Sequence, residues 1–358
     1  MKKIKLILLV LLGVSFFSLY THGKSFINDQ ERNQEHLIEI VSKEEPIESV
    51  ETSTIALESI KTDTYKKGLH NLIGASGDDI IKEWGKPDRI DPSSYDYVWW
   101  IYKTHEAYIQ VGVLENKVVS LYTIGEGINL EPFYIGQSYD EIAKVFPISN
   151  SHSLQVEDNS YRFELTEEEI RVRPLFQFGN VWAQLYFDQF TNQLSSIRYL
   201  DSKTLIKQRP YELIYRGELL SARDINLEEW KAIEKGSSQQ ILDITNAIRK
   251  RHQLNPVEWH EETASVAFLH SKDMKENDYF AHDSPTKGGL ADRLNGGNIK
   301  YHLAGENIAA KYVDGIAAVE GWLNSKGHRE TLLNEEFTHL GVGVFEKYYT
   351  QNFISTWE

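Results

Sequence analysis

Apolar residues recur along this chain at two periods, and the changes of period mark its elements. Ile73-Gly-Ala-Ser76-Gly-Asp78-Asp-Ile80-Ile-Lys82-Glu-Trp84 has helical spacing, with Ser76 placed as a cap and two aspartates in the first turn. The pattern returns 62 positions later as Ile135-Gly-Gln-Ser138-Tyr-Asp140-Glu-Ile142-Ala-Lys144-Val-Phe146. A Gly-Lys-Pro or a Pro breaks each stretch, and strand-like segments follow. In the first copy these are Tyr95–Tyr102, Tyr108–Leu114 and Val118–Ile124; in the second, Tyr161–Leu165, Glu169–Val172, Val181–Phe187 and Leu194–Leu200. Glu115-Asn116-Lys117 and Thr191-Asn192-Gln193 take matching hairpin positions. Residues 65–208 therefore read as a two-fold repeat of a helix-plus-antiparallel-sheet unit. Trp84, Trp99, Trp100, Phe146, Phe176 and Trp182 suit either a ligand groove or, more simply, the core that a few-stranded sheet needs.

Residues 209–234 are mixed and charged and read as a linker. Beyond them Ser237 or Ser238 is placed to cap a helix with Ile241, Ile244 and Ile248 on one side, ended by Asn255-Pro256. A second helix is expected at Glu261–Asn277, a third at Asp314–Ser325, and strands at Leu340–Phe345 and Asn352–Trp357. Residues 235–358 thus form a second domain with helices on a sheet, and the whole chain is of the α+β class.

The N-terminus changes this picture by adding a destination. Lys2, Lys3 and Lys5 precede a mostly apolar run from Leu6 to Tyr20, shorter than a comfortable membrane span. Residues 1–24 read as a signal peptide or an N-terminal anchor, both open, and imply a secreted or surface-anchored protein. Residues 25–64 read as an acidic linker; Ser25–Ile60 holds nine acidic residues against two basic ones. The net charge of −15 speaks against a nucleic-acid partner. With no cysteine, disulfides, thiolate nucleophiles and Cys-ligated zinc are excluded.

Candidate chemistry gathers between Tyr279 and Gly343. The motifs are Tyr279-Phe-Ala-His282-Asp-Ser-Pro, Gly305-Glu306-Asn307-Ile308, Trp322-Leu-Asn-Ser325-Lys-Gly-His328-Arg329 and Gly341-Val-Gly343. Two imidazoles and a carboxylate can ligate a divalent ion, relay a proton or line a hollow. With Asn246, Arg249 and His270-Ser-Lys-Asp273-Met274, these motifs resemble the bacterial branch of the cysteine-rich secretory, antigen 5 and pathogenesis-related (CAP, or SCP-like) superfamily. The upstream repeat is similar to the associated domain that precedes some bacillus-type members.

The resemblance implies an α-β-α sandwich with a central cleft carrying two histidines and two acids. It assigns His282, Glu306 and His328 to that cleft; the second acid's position is Ser325, which weakens the case for acid–base chemistry. His282 and His328 are the candidate ligands for Zn2+ or Mg2+, and Glu306 the candidate catalytic residue, accepting a proton from bound water. Each residue also has an ordinary reading: His282 capping a turn, Glu306 satisfying amides in a Gly-Glu-Asn turn, His328 as a charge at a helix C-terminus. Trp322, His270, His339 and Arg329 read as structural, and Asp273 as a solvated helix residue. The expectation is an exported, non-catalytic binding module for a lipid, peptide or wall-derived ligand, tethered to the membrane if the N-terminal segment stays. The alternatives are a metal-dependent hydrolase using the same cleft, and a structural protein whose cleft is a relic.

Overall fold

The structure is a computed structural model that describes residues 68–356. The export segment and the acidic linker lie outside the described residues, as do Trp357 and Glu358.

The repeat expected from the hydrophobic pattern is visible as a repeated set of contacts. Helix α1 (Gly77–Trp84) leads into strands β1 (Arg89–Pro92), β2 (Val98–Lys103), β3 (Ala107–Leu114) and β4 (Lys117–Gly125). Helix α2 (Tyr139–Val145) opens the second copy. After it come β5 (Ser151–Val156), β6 (Asn159–Glu164), α3 (Glu167–Val172), β7 (Leu175–Phe178), β8 (Val181–Asp188) and β9 (Gln193–Asp201). Ser76 and Ser138 cap their helices through their hydroxyls. The amide of Gly77 donates to the Asn116 carbonyl, and that of Tyr139 to the Asn192 carbonyl, so each helix start is seated on its own hairpin turn. Asn116 and Asn192 both have positive φ, which asparagine tolerates better than most residues. The copies merge because β4 pairs with β9, giving one antiparallel sheet in the order β1-β2-β3-β4-β9-β8-β7. Ile80 and Ile142, on the two helices, sink into a single core on one face of it, with Phe146 and Phe176. Trp99 and Trp182 are buried and Trp84 and Trp100 half-buried against cores, so the aromatics expected here do packing work.

Several local expectations fail for visible reasons. Glu169–Val172 is helical within α3, because Thr166 and Glu169 form a capping box and three glutamates sit in the first turn. Residues 209–234 are not a bare linker. After α4 (Ser202–Gln208) they carry β10 (Glu212–Arg216), which joins β6 and β5 in a small sheet, and the first turns of α5 (Leu227–Arg251). Asn226, not Ser237 or Ser238, caps α5, in a capping box with Glu229. Gly236-Ser-Ser looks like a break but lies inside the helix. Gly236 is small because Asp91 packs against it, and Ser238 bonds back to the Glu234 carbonyl.

The C-terminal domain is an α-β-α sandwich. Its sheet runs β11 (Glu258–Trp259), β13 (His339–Phe345), β14 (Tyr348–Ser355) and β12 (Leu303–Ala310), antiparallel except for β11 beside β13. Helix α6 (Glu261–Glu276) covers one face. Gly341 and Gly343 on β13 let it lie there, since a Cβ on either would overlap the α6 backbone. Helices α5 and α8 (Gly315–Leu323) cover the other face, while α7 (Leu290–Gly296) and α9 (Lys326–Leu332) lie against β12. The third helix expected at Asp314–Ser325 ends at Leu323, and β12 falls where a turn was expected. Arg249 of α5 is buried and donates to the carbonyls of Asn255, Leu332, Asn334 and Phe337, tying the loops at one end together.

The two domains share a core. Tyr95 and Tyr97 of the loop before β2, with Trp99, Tyr122 and Ile124 on the repeat domain's sheet, pack with Ile241, Ile244, Ile316 and Val319 of α5 and α8. Ion pairs cross the interface as well: Arg198, itself buried, with Asp314, and Arg89 and Lys103 with Asp243.

Candidate functional site

Glu306 stands on β12, beside Asn352 of β14 in the strand register. Its carboxylate is 3% exposed and engaged at both oxygens. Oε1 lies 2.9 Å from His282 Nδ1, and Oε2 accepts from the Arg293 guanidinium at 2.6 Å. With the Asn352 amide oriented to donate, its nitrogen also reaches Oε2 at 2.9 Å. Glu306 therefore does not satisfy turn amides; it holds three side chains from outside its own strand.

His282 lies in the loop between α6 and α7, and its side chain is 55% exposed. The loop is fixed from below. Arg293 of α7 donates to the His282 carbonyl at 2.6 Å and to the Gly288 carbonyl at 3.1 Å. Asp273 of α6 accepts from the hydroxyls of Tyr279 and Ser284, so it is not merely a solvated helix residue. Burial works to raise the Asp273 carboxyl, but the Ser284 and Tyr279 donors outweigh it and the net shift is downward. His270, buried on α6, bonds the Ala281 carbonyl through Nε2, 3.9 Å from Glu306 Oε1. Burial lowers its pKa.

His328 approaches from the other side, on the first turn of α9 rather than at a helix C-terminus. Its Nδ1 is 2.9 Å from the Ser325 hydroxyl, and its carbonyl accepts from Asn307 of β12. The His282 and His328 rings are 6.4 Å apart between centroids, tilted by 43°. Burial, and then the charge of His282, push His328 down to about 4, so it stays neutral in neutral solution. The structure thus brings His282, Glu306, Ser325 and His328 together. Trp322 stays in the core and donates to the Ile308 carbonyl, while Arg329 pairs with Asp188 of the repeat domain.

Both Nδ1 atoms have partners, so an ion or ligand at either ring would have to meet Nε2. Two such nitrogens suit a loosely held divalent ion. Among the described residues no group of three or more His, Asp or Glu side chains is set to hold a metal, and Glu306 is committed elsewhere. A bound zinc would supply Lewis acidity or an anchor for a ligand's donor atom. A separate recess of about 210 Å3, lined by residues including Lys235, Glu234 and Phe268, lies away from the histidine pair.

Arg293 and Asn352 were not singled out from the sequence. Arg293 carries no motif of its own beside Asp292 and Leu294, and Asn352 sits within a strand pattern. Only the pairing of β12 with β14 and the placement of α7 assemble them around Glu306.

These features define a two-part class: an α-β-α sandwich with a facing histidine pair backed by a buried carboxylate, fused to a doubled helix-and-sheet domain. Residues 242–357 match the cysteine-rich secretory protein family (CAP) and residues 73–211 the CAP-associated N-terminal family. The chain belongs to the CAP family, in the form that carries the associated N-terminal domain. It is 53% identical over 291 residues to the uncharacterized membrane protein YlbC of Bacillus subtilis (strain 168), spanning 81% of this chain and 84% of that one. An extracellular protein containing an SCP domain from Bacillus anthracis str. Ames superposes with a TM-score of 0.78 at 46% identity, covering 89% of this chain and all of that one. A cysteine-rich secretory protein from Staphylococcus aureus subsp. aureus Mu50 superposes with a TM-score of 0.74 at 25% identity, covering 81% and 94%. Among the described residues no helix is long and apolar enough to cross a membrane.

Proposed function

We propose that this chain is an exported binding module of the bacterial cell surface. Its His282–His328 hollow takes a lipid, peptide or wall-derived ligand, with a divalent ion as an optional anchor. The observation that carries the reading is the saturation of Glu306. A general base for water needs an accessible lone pair, but this carboxylate is 3% exposed and faces His282, Arg293 and the Asn352 amide. It acts as an orienter of His282, much as carboxylates fix ligating imidazoles. Ser325 occupies the second acid's place and spends its hydroxyl on His328 Nδ1. The export segment at 1–24 and the company of a membrane protein and an extracellular protein among its relatives support the cell-surface location.

The test is native mass spectrometry of the secreted full chain with zinc titration by calorimetry. A binder should retain a small-molecule ligand or take Zn2+ reversibly, and lose either in His282→Ala and His328→Ala. Glu306→Gln should weaken zinc by about 10- to 100-fold without abolishing it. Hydrolytic turnover by the metal-loaded chain that disappears in Glu306→Gln while metal stays bound would overturn the reading in favour of the hydrolase.

A further inference from the structure

The repeat domain reaches the segment that carries His328 through one turn. At the end of β8, Asp188 is buried and accepts both guanidinium nitrogens of Arg329 at 2.9 Å each. The next residue, Gln189, donates its amide to Asn324 Oδ1 at 2.8 Å and its side chain to the Asn324 carbonyl. Asn324 answers by donating to the Phe187 carbonyl at 2.8 Å. Phe190 lies under the Arg329 guanidinium, 4.8 Å from its carbon. Asn324 and Arg329 are the residues that bracket Ser325 and His328, and the first backbone bond of α9 runs from the Arg329 amide to the Ser325 carbonyl. Within the C-terminal domain the segment is also tied by Asn307 to the His328 carbonyl, by Arg329 to the Leu323 carbonyl and by Asn324 to the Glu320 carbonyl.

We infer that Asp188, Gln189 and Asn324 are positioning residues for the cleft: the repeat domain sets the orientation of His328 by clamping both ends of the Asn324–Arg329 segment. A seven-residue helix has too few internal hydrogen bonds to hold a ring by itself. A bidentate guanidinium–carboxylate pair and a doubly bonded amide fix the segment in rotation as well as position. The associated domain is then part of the working site and not a spacer alone. This rests on the hollow being the working site, although the ring geometry can be measured without any ligand.

The full chain, metal-free and labelled with 15N at histidine, reports both ring nitrogens of His328 in long-range proton–nitrogen spectra. The wild type should show a single tautomer fixed by the Ser325 hydroxyl. Asp188→Asn and Asn324→Ala should give averaged nitrogen shifts at His328, while His282, held by Glu306, keeps its own. Zinc affinity should fall about tenfold alongside. Gln189→Ala, at an exposed position, removes only the side-chain half of the clamp and covers the case in which Asp188→Asn does not fold. Unchanged His328 ring signals in folded Asn324→Ala and Gln189→Ala, with only a lower melting temperature, would reduce the turn to a domain staple and overturn the inference. A wild type that takes no zinc would count against the metal anchor and leave the ring measurement to decide this point.

Discussion

At the scale of single residues, the site separates a buried half from an open half. Glu306 and Arg293 have side chains only 3% and 5% exposed, so removing one leaves a charge without compensation. Glu306→Ala should cost about 3–5 kcal/mol in chemical denaturation. His282→Ala, at a side chain 55% exposed, should cost well under about 1 kcal/mol while removing binding. The sequence made the open half legible, because His282 and His328 sit in motifs whose order resembles a known superfamily. The buried half was not legible. Arg293 reaches Glu306 across 13 positions and a change of element, and no local pattern announces such a pair. Asp273 shows the same limit: its acid looks solvated along a helix until the loop folds Tyr279 and Ser284 back over it.

Elements were read well where the period was long and caps were local, and poorly where packing decides. The repeated α1 and α2 came from Ser76 and Ser138 with their following acids, and the hairpins from Asn116 and Asn192. Strand β12 escaped because Gly305-Glu306-Asn307 has the composition of a turn; pairing along all of β14 makes it extended. The start of α5 escaped because Gly236 mimics a break, whereas its real cause is the close approach of Asp91. The Gly341-Val-Gly343 motif is explained at this scale too. A Cβ at Gly343 would overlap the backbone of Ala267 and Phe268, so Gly343→Ala must push α6 off the sheet. We expect a loss of about 3 kcal/mol or more, read as a lower denaturation midpoint, and a weakened hold on the loop that carries His282.

Across the whole molecule the interface between domains contains an acid of its own. Glu320 of α8 is buried against the repeat domain's sheet and accepts from Tyr122 and from the hydroxyls of Ser195 and Ser196. Burial pushes it from an ordinary 4.5 up to about 7. Between those values the native chain holds a proton that the unfolded chain has released. The stabilisation is therefore complete below about pH 4.5 and is lost as pH rises through 7, by at most about 1.4 kcal/mol per pH unit. Urea denaturation at pH 5 and pH 8 should show Glu320→Gln gaining on the wild type at the higher pH. An equal offset at both would show the acid to be uncoupled from folding. The sequence placed Glu320 on a helix but could not show that its partners lie more than a hundred residues upstream.

The seam between β4 and β9 has one more consequence. Because the two copies meet through their last strands, cutting the repeat in half would not yield a smaller version of it. A fragment stopping after the first copy would present β4 as a bare row of amides and carbonyls, ready to zip onto a second fragment. Across the seam each half is thus the other's cover against self-association.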